Sequence, residues 1–208
     1  MKSLKSTFLP VAALCSALLC MESPAAPAES ADAAKPLGKG APVPSAILKT
    51  ADGKDFDLKS QIENKPTILI FYRGGWCPFC SRQLAELQES QQELLDMDYQ
   101  ILAISADAPD ALQTTSSKHQ LGYQLLSDVG MQASDAFGLA FYLDAKTAER
   151  YESRFTMSAK HDGRLWLPVP AVYVVGKDGK IAFAHTDPNY RKRLPVKDLI
   201  AAAKQSAQ

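Results

Sequence analysis

Apolar and polar positions along this chain follow two periods. Thr67-Ile68-Leu69-Ile70-Phe71-Tyr72 is a short run unbroken by charge and rich in β-branched and aromatic residues. That is the pattern of a central strand covered on both faces. Strand signals recur at 99–105, 172–175 and 181–185, and helical spacing occupies 78–95, 109–119, 131–137 and 196–204. Earlier, Ile47-Leu48 and Phe56 flank Ala51-Asp52-Gly53-Lys54, which predicts a hairpin. Strands separated by helices predict an α/β fold: a central mixed β-sheet flanked by helices, with a β-hairpin N-terminal extension. Residues 22–45 are rich in Ala, Pro and Ser and read as a linker or extended arm.

The helix expected over 78–95 places chemistry on a defined face. Cys80, Leu84 and Leu87 stand at i, i+4 and i+7, Leu94 and Leu95 continue the stripe, and Glu86, Glu89 and Gln92 fall elsewhere. Pro78 suits the first helical position, which makes Cys77 the N-cap. An N-cap sulfur can accept the amides of Phe79 and Cys80 and feels the positive end of the helix dipole. The expected arrangement is an exposed Cys77 with Cys80 half-buried behind it.

Composition narrows the function classes. With 208 residues, 46% hydrophobic and 22% charged, the chain suits one domain with a sizeable core. Its 23 basic and 23 acidic side chains cancel, which excludes the broad basic surface of a nucleic-acid binder. Arg191-Lys192-Arg193 is the one basic run and reads as a solvated face. Lys2 and Lys5, the apolar run 8–20 and Ala26-Pro27-Ala28 together have the form of an export signal. The apolar run is shorter than the ~20 residues of a membrane span. The expected organisation is a signal over 1–28 cleaved after Ala28, a linker over 29–45 and a domain over 46–208. The product would be periplasmic or secreted, with no membrane segment in the mature form.

Cleavage would remove Cys15 and Cys20 and leave Cys77 and Cys80. Two cysteines three apart close too small a loop to staple a fold, so their value is chemical. Zinc would need about four ligands, and His119, His161 and His185 are not spaced to supply them. Haem attachment would need histidine where Ser81 stands. No metal or cofactor is expected. A C-x-x-C pair at a helix N-terminus can instead lower a thiol pKa from ~8.5 to about 3.5–7.5 and make the thiolate available at neutral pH.

Residues 71–80, Phe-Tyr-Arg-Gly-Gly-Trp-Cys-Pro-Phe-Cys, resemble the strand–W-C-x-x-C–helix junction of thioredoxin-like proteins. From about residue 40 onward the chain resembles the peroxiredoxin-like branch of the alkyl hydroperoxide reductase and thiol-specific antioxidant family. The resemblance is carried also by Leu125-Leu126-Ser127-Asp128, Ala136-Phe137-Gly138, residues 170–179 and Asn189-Tyr190-Arg191-Lys192-Arg193-Leu194. It implies a thioredoxin-like fold and dithiol–disulfide chemistry. It also implies a substrate site at Trp76, Val169 and Pro170, with a cis bond at Pro170 turning the Val169 backbone toward substrate.

The departures from the family pattern bear on mechanism. With Cys80 aligned on the family's peroxidatic cysteine, Arg73 stands where such proteins carry a proline and Cys77 where they carry a threonine; Pro170 stands where they carry a distant arginine. Arg73 is therefore the candidate to stabilise thiolate. Thioredoxin spacing selects Cys77 as nucleophile and peroxiredoxin spacing selects Cys80; exposure and capping favour Cys77. Two activities stand open. One is reduction of a hydroperoxide with recycling by a thioredoxin-like donor, which the whole-chain resemblance favours. The other is thiol–disulfide exchange on a protein disulfide. A redox-sensing clasp without enzymatic activity is the third class. Tyr151 and Trp166 are candidate walls of a substrate groove.

Overall fold

The structure, a computed structural model, describes residues 27–63, 65–153 and 159–207. The n-region and apolar run expected as an export signal, with Cys15 and Cys20, lie outside the described residues.

The hairpin is present as β1 (Ile47–Thr50) and β2 (Asp55–Asp57), followed by a short helix α1 (Leu58–Ile62) capped by Asp57. Then come β3 (Thr67–Tyr72), α2 (Pro78–Glu89), α3 (Gln91–Leu95), β4 (Gln100–Ser105), α4 (Pro109–His119), β5 (Gln124–Ser127) and α5 (Gln132–Ala136). β6 (Ala140–Tyr142), α6 (Ala145–Glu152), β7 (Lys160–His161) and β8 (Arg164–Pro168) form an insertion. The chain closes with β9 (Ala171–Val175), β10 (Ile181–Thr186) and α7 (Val196–Ser206).

Seven strands make one sheet in the order β10-β9-β3-β4-β5-β1-β2. β3 pairs in parallel with β4, and β4 with β5, while β9 joins β3 antiparallel. This is the mixed sheet that the alternation of patterns implied. β3 is an interior strand, paired on both edges, and its period of two feeds two cores. Ile68, Ile70 and Tyr72 pack with Cys77, Cys80, Leu84, Leu112 and Leu199 on one face. Leu69 and Phe71 pack with Phe56, Leu58, Ile62, Ala133 and Phe137 on the other. Fully burying each such aliphatic or aromatic side chain is worth about 1.5–3 kcal/mol, so β3 anchors whatever follows it.

Three features differ from the pattern reading. The helix expected over 78–95 breaks at Ser90, whose φ of −106° and ψ of 7° end α2. The break re-phases the stripe, so Leu94 is buried while Leu95 is 43% exposed. A second, three-stranded sheet, β6-β8-β7, was not predicted. Its strands are too short to show a period, and α6 buries only Tyr151 of its own residues. Finally, the segment read as a linker or extended arm is pinned to the domain. Leu37 N–H donates to Phe137 O, Gly40 N–H to Ile181 O and Val43 N–H to Gly179 O, at 2.9, 2.8 and 3.0 Å. Ala28 reaches the edge of β6, donating to Ala140 O at 3.0 Å and accepting from Tyr142 N–H at 2.8 Å.

Candidate active site

The parallel strands β3 and β4 end side by side, and the residues just past their carboxyl ends build the site, the usual place in open α/β sheets. Arg73, Gly74 and Gly75 make the turn from β3 into α2. Gly74 has φ of +149°, and a Cβ there would lie 2.2 Å from Trp76 Nε1 and 2.6 Å from Asp107 Oδ1. A Cβ on Gly75 would lie 1.9 Å from Thr115 Oγ1 of α4. Both glycines let the turn lie against its neighbours. Asp107, two residues past β4, accepts Gly75 N–H through Oδ2 at 2.7 Å and is 5% exposed. Burial pushes its carboxyl up to about 6.

Cys77 is the N-cap of α2, with Pro78 in the first turn. Its sulfur makes no well-aligned capping hydrogen bond, and the Cys80 amide donates to the Cys77 carbonyl at 3.0 Å. The expected exposure is not observed: Cys77 is 1% and Cys80 0% exposed. The cause lies in elements far off in the chain. Tyr151 of α6 and Tyr190 of the loop before α7 join Trp76 and Phe79 around a cavity of about 260 Å³ that Cys77 lines.

Electrostatics separate the two thiols. The Cys77 thiol is pushed down to about 5, chiefly by the hydrogen bond from the Cys80 thiol and then by the Cys80 amide, Arg73 and Arg193, against burial. Burial, and its role as donor to Cys77, push the Cys80 thiol well up. Arg73 is itself 3% exposed. Its Nη1 lies 4.0 Å from Cys77 Sγ and its Nη2 donates to Tyr151 Oη at 2.7 Å. Its guanidinium carbon sits 4.1 Å from the Tyr190 ring centre, 5.1 Å from that of Trp76 and 5.2 Å from that of Tyr151. The rings shield a cation whose only nearby anion, among the described residues in contact with it, is the Cys77 thiolate.

The structure therefore brings together Arg73, Trp76, Cys77 and Cys80, with Tyr151 as a wall. It does not bring Val169 or Pro170 into the cavity. No cis peptide bond occurs among the described residues, so Pro170 is trans. Val169 N–H is committed to Leu139 O at 2.8 Å, and its side chain packs in the core on the opposite sheet face from the cysteines. The trans link lets one extended run pair with β6 as β8 and with β3 as β9. Trp166 belongs to the core under the small sheet. No group of three or more His, Cys, Asp and Glu side chains suited to a metal occurs among the described residues.

Two contributors escaped the sequence reading. Arg193, read as part of a solvated basic run, places Nη2 3.3 Å from Cys80 Sγ. Asp107 fixes the turn that aims Arg73 and Trp76. The signal available for Arg193 was its three-residue spacing from Tyr190 within the family-like block; for Asp107 it was a carboxylate just past a strand end.

Residues 39–184 match the AhpC/TSA family. The chain is 30% identical over 104 residues to peroxiredoxin Bcp of Escherichia coli, across 50% of this chain and 66% of that protein. It is 30% identical over 103 residues to chloroplastic peroxiredoxin Q of Populus jackii, across 50% and 48%. The match thus spans about half the length of such curated relatives. Peroxidoxin BcpB of Mycobacterium tuberculosis superposes with a TM-score of 0.64 at 16% identity, over 81% of this chain and 97% of that one. At that identity the likeness speaks to the fold.

Proposed function

Since this chain belongs to the AhpC/TSA family and has its peroxiredoxin-type thioredoxin-like fold, we propose that it is a thiol-dependent peroxidase in which Cys77 attacks a hydroperoxide and Cys80 resolves the product. The observation that carries this reading is a thiol pushed down to about 5 at the wall of a small cavity, with Arg73 beside it and a second thiol behind it. The Cys77 thiolate attacks the terminal peroxide oxygen and the O–O bond breaks. Cys77 becomes a sulfenic acid and the departing alkoxide takes a proton to leave as alcohol. The Cys80 sulfur then attacks the Cys77 sulfur, and hydroxide leaves as water with the Cys80 proton. An external dithiol, of the thioredoxin-like kind, returns the pair to two thiols.

Exchange on a protein disulfide has less support. The Val169 amide that would dock one is already bonded, to Leu139 O at 2.8 Å. The deciding experiment is stopped-flow oxidation by hydrogen peroxide of two single-cysteine variants. Cys80→Ser is expected to react rapidly and stop as sulfenic acid, and Cys77→Ser to react no faster than a free small thiol. If both are that slow, the peroxidase reading is wrong.

We further propose export to the periplasm or beyond, supported by Lys2, Lys5 and the apolar run 8–20. Intact-mass analysis of the exported chain checks it, and a full-length or lipid-modified product counts against it. No helix among the described residues is long and apolar enough to cross a membrane.

A further inference from the structure

We propose that Arg193 is the catalytic residue of the second half of the cycle, holding Cys80 as the attacking thiolate during disulfide formation and as the leaving thiolate during reduction. The proposal rests on the peroxidase reading of the cysteine pair and deepens it.

Cys80 is fully enclosed, and the one cationic side chain in contact with its sulfur, among the described residues, is Arg193 at 3.3 Å. Arg193 in turn forms no ion pair with a carboxylate among the described residues, and its Nε and Nη1 are buried without a hydrogen-bond partner there. A desolvated guanidinium is costly unless an anion faces it, and the candidate in contact, among the described residues, is the Cys80 sulfur once ionised. The stretch of chain that carries it is held on both sides. Tyr190 and Leu194 pack against the core that contains both cysteines. The loop before it is tied by Asn189 N–H to Asp187 Oδ1 at 2.8 Å and Arg191 N–H to Asn189 Oδ1 at 3.1 Å.

The two arginines thus overlap at Cys77, whose thiol both lower, while Arg193 is the one whose side chain touches the Cys80 sulfur. In the reduced protein the Cys77 thiolate takes the Cys80 proton as a hydrogen bond and keeps Cys80 neutral. Oxidation turns Cys77 into an uncharged sulfenic acid. The negative charge beside Cys80 is gone while Arg193 stays, so Cys80 ionises when its attack is required. Its proton leaves with the sulfenic hydroxide as water, and the S–S bond forms. In the return step a dithiol attacks Cys77 sulfur, and Cys80 departs as a thiolate beside Arg193 before it takes up a proton. The second dithiol sulfur then displaces Cys77.

The test uses the full chain, its Arg193→Met and Arg193→Lys variants, and two arms. In the first, reduced protein is mixed with hydrogen peroxide, and sulfenic acid and disulfide are followed separately against pH. The Met variant should slow disulfide formation by about tenfold or more, the loss expected of one charge-assisted contact. Its pH midpoint should move up, peroxide consumption should slow less, and Lys should restore part of the rate. In the second arm, the preformed disulfide is reduced by dithiothreitol, and the Met variant should again be slower. Unchanged disulfide formation with an unchanged pH midpoint in the Met variant would overturn the role of Arg193. Slow peroxide consumption by the unaltered protein would overturn the peroxidase reading instead, and the dithiothreitol arm would still judge Arg193.

Discussion

At the scale of single residues, the low pKa of Cys77 comes first from the Cys80 thiol that donates to it. Cys80→Ala removes that donor and Cys80→Ser keeps a hydroxyl in its place. The Cys77 titration, read from thiolate ultraviolet absorbance, should therefore have its midpoint near 5 in the unaltered protein. It should lie higher in the Ser variant and highest in the Ala variant. Because the folded pKa lies below the unfolded one, the thiolate stabilises the reduced protein above the unfolded value of ~8.5. That contribution is lost as pH falls through about 5. Asp107 has the opposite sign. Its folded pKa, about 6, lies above the usual carboxylate value, so its share of stability is present below ~3.9 and is lost as pH rises through about 6. Asp107→Asn should be the more stable protein above that range, by on the order of 1–3 kcal/mol in denaturant titrations. A slope from Asp128, also pushed up to about 6 by burial, should remain. A variant less stable at every pH would mean that the charged acceptor for the Gly75 amide outweighs the cost of burying it.

At the scale of elements, the N-terminal arm behaves as part of the domain. Gly138 has φ of +69°, and a Cβ there would stand 2.0 Å from Lys35 O, so the arm passes where only glycine fits. Gly138→Val should push the arm off and speed hydrogen exchange at the Leu37 amide, which is otherwise held by Phe137 O. Unchanged protection at Leu37 would show that the contact is dispensable. The edge of β6 gives a second expectation. A chain beginning at Glu29 lacks the Ala28 bonds to Ala140 and Tyr142. It should be less stable than one beginning at Pro27 by about 1–3 kcal/mol, the net worth of two backbone hydrogen bonds. Equal denaturation midpoints would show that this edge frays in solution. Processing after Ala28 would trim a residue that the small sheet uses.

At the scale of the molecule, stabilising a thiolate in the reduced state makes the disulfide a stronger oxidant. Equilibration with glutathione buffers should give a potential above the about −270 mV of thioredoxin; a lower value would mean that the fold favours the disulfide by strain relief or packing. The sequence by itself determined what is local. The two periods located β3, β4, α4 and the hairpin, and Pro78 after Cys77 placed a cysteine at a helix N-terminus, because capping and amphipathicity act within a few residues. It also identified Arg73 and Trp76, which are covalent neighbours of the pair. What only the tertiary structure decided arises from contacts between distant segments. Arg193 reaches Cys80 across 113 residues, Asp107 reaches Gly75 across 32, and Tyr151 reaches Arg73 across 78. The burial of Cys77, the trans link at Pro170 and the docking of the arm belong with these. Each depends on which sheet edges and faces come together when the chain closes, and no period along the sequence records that.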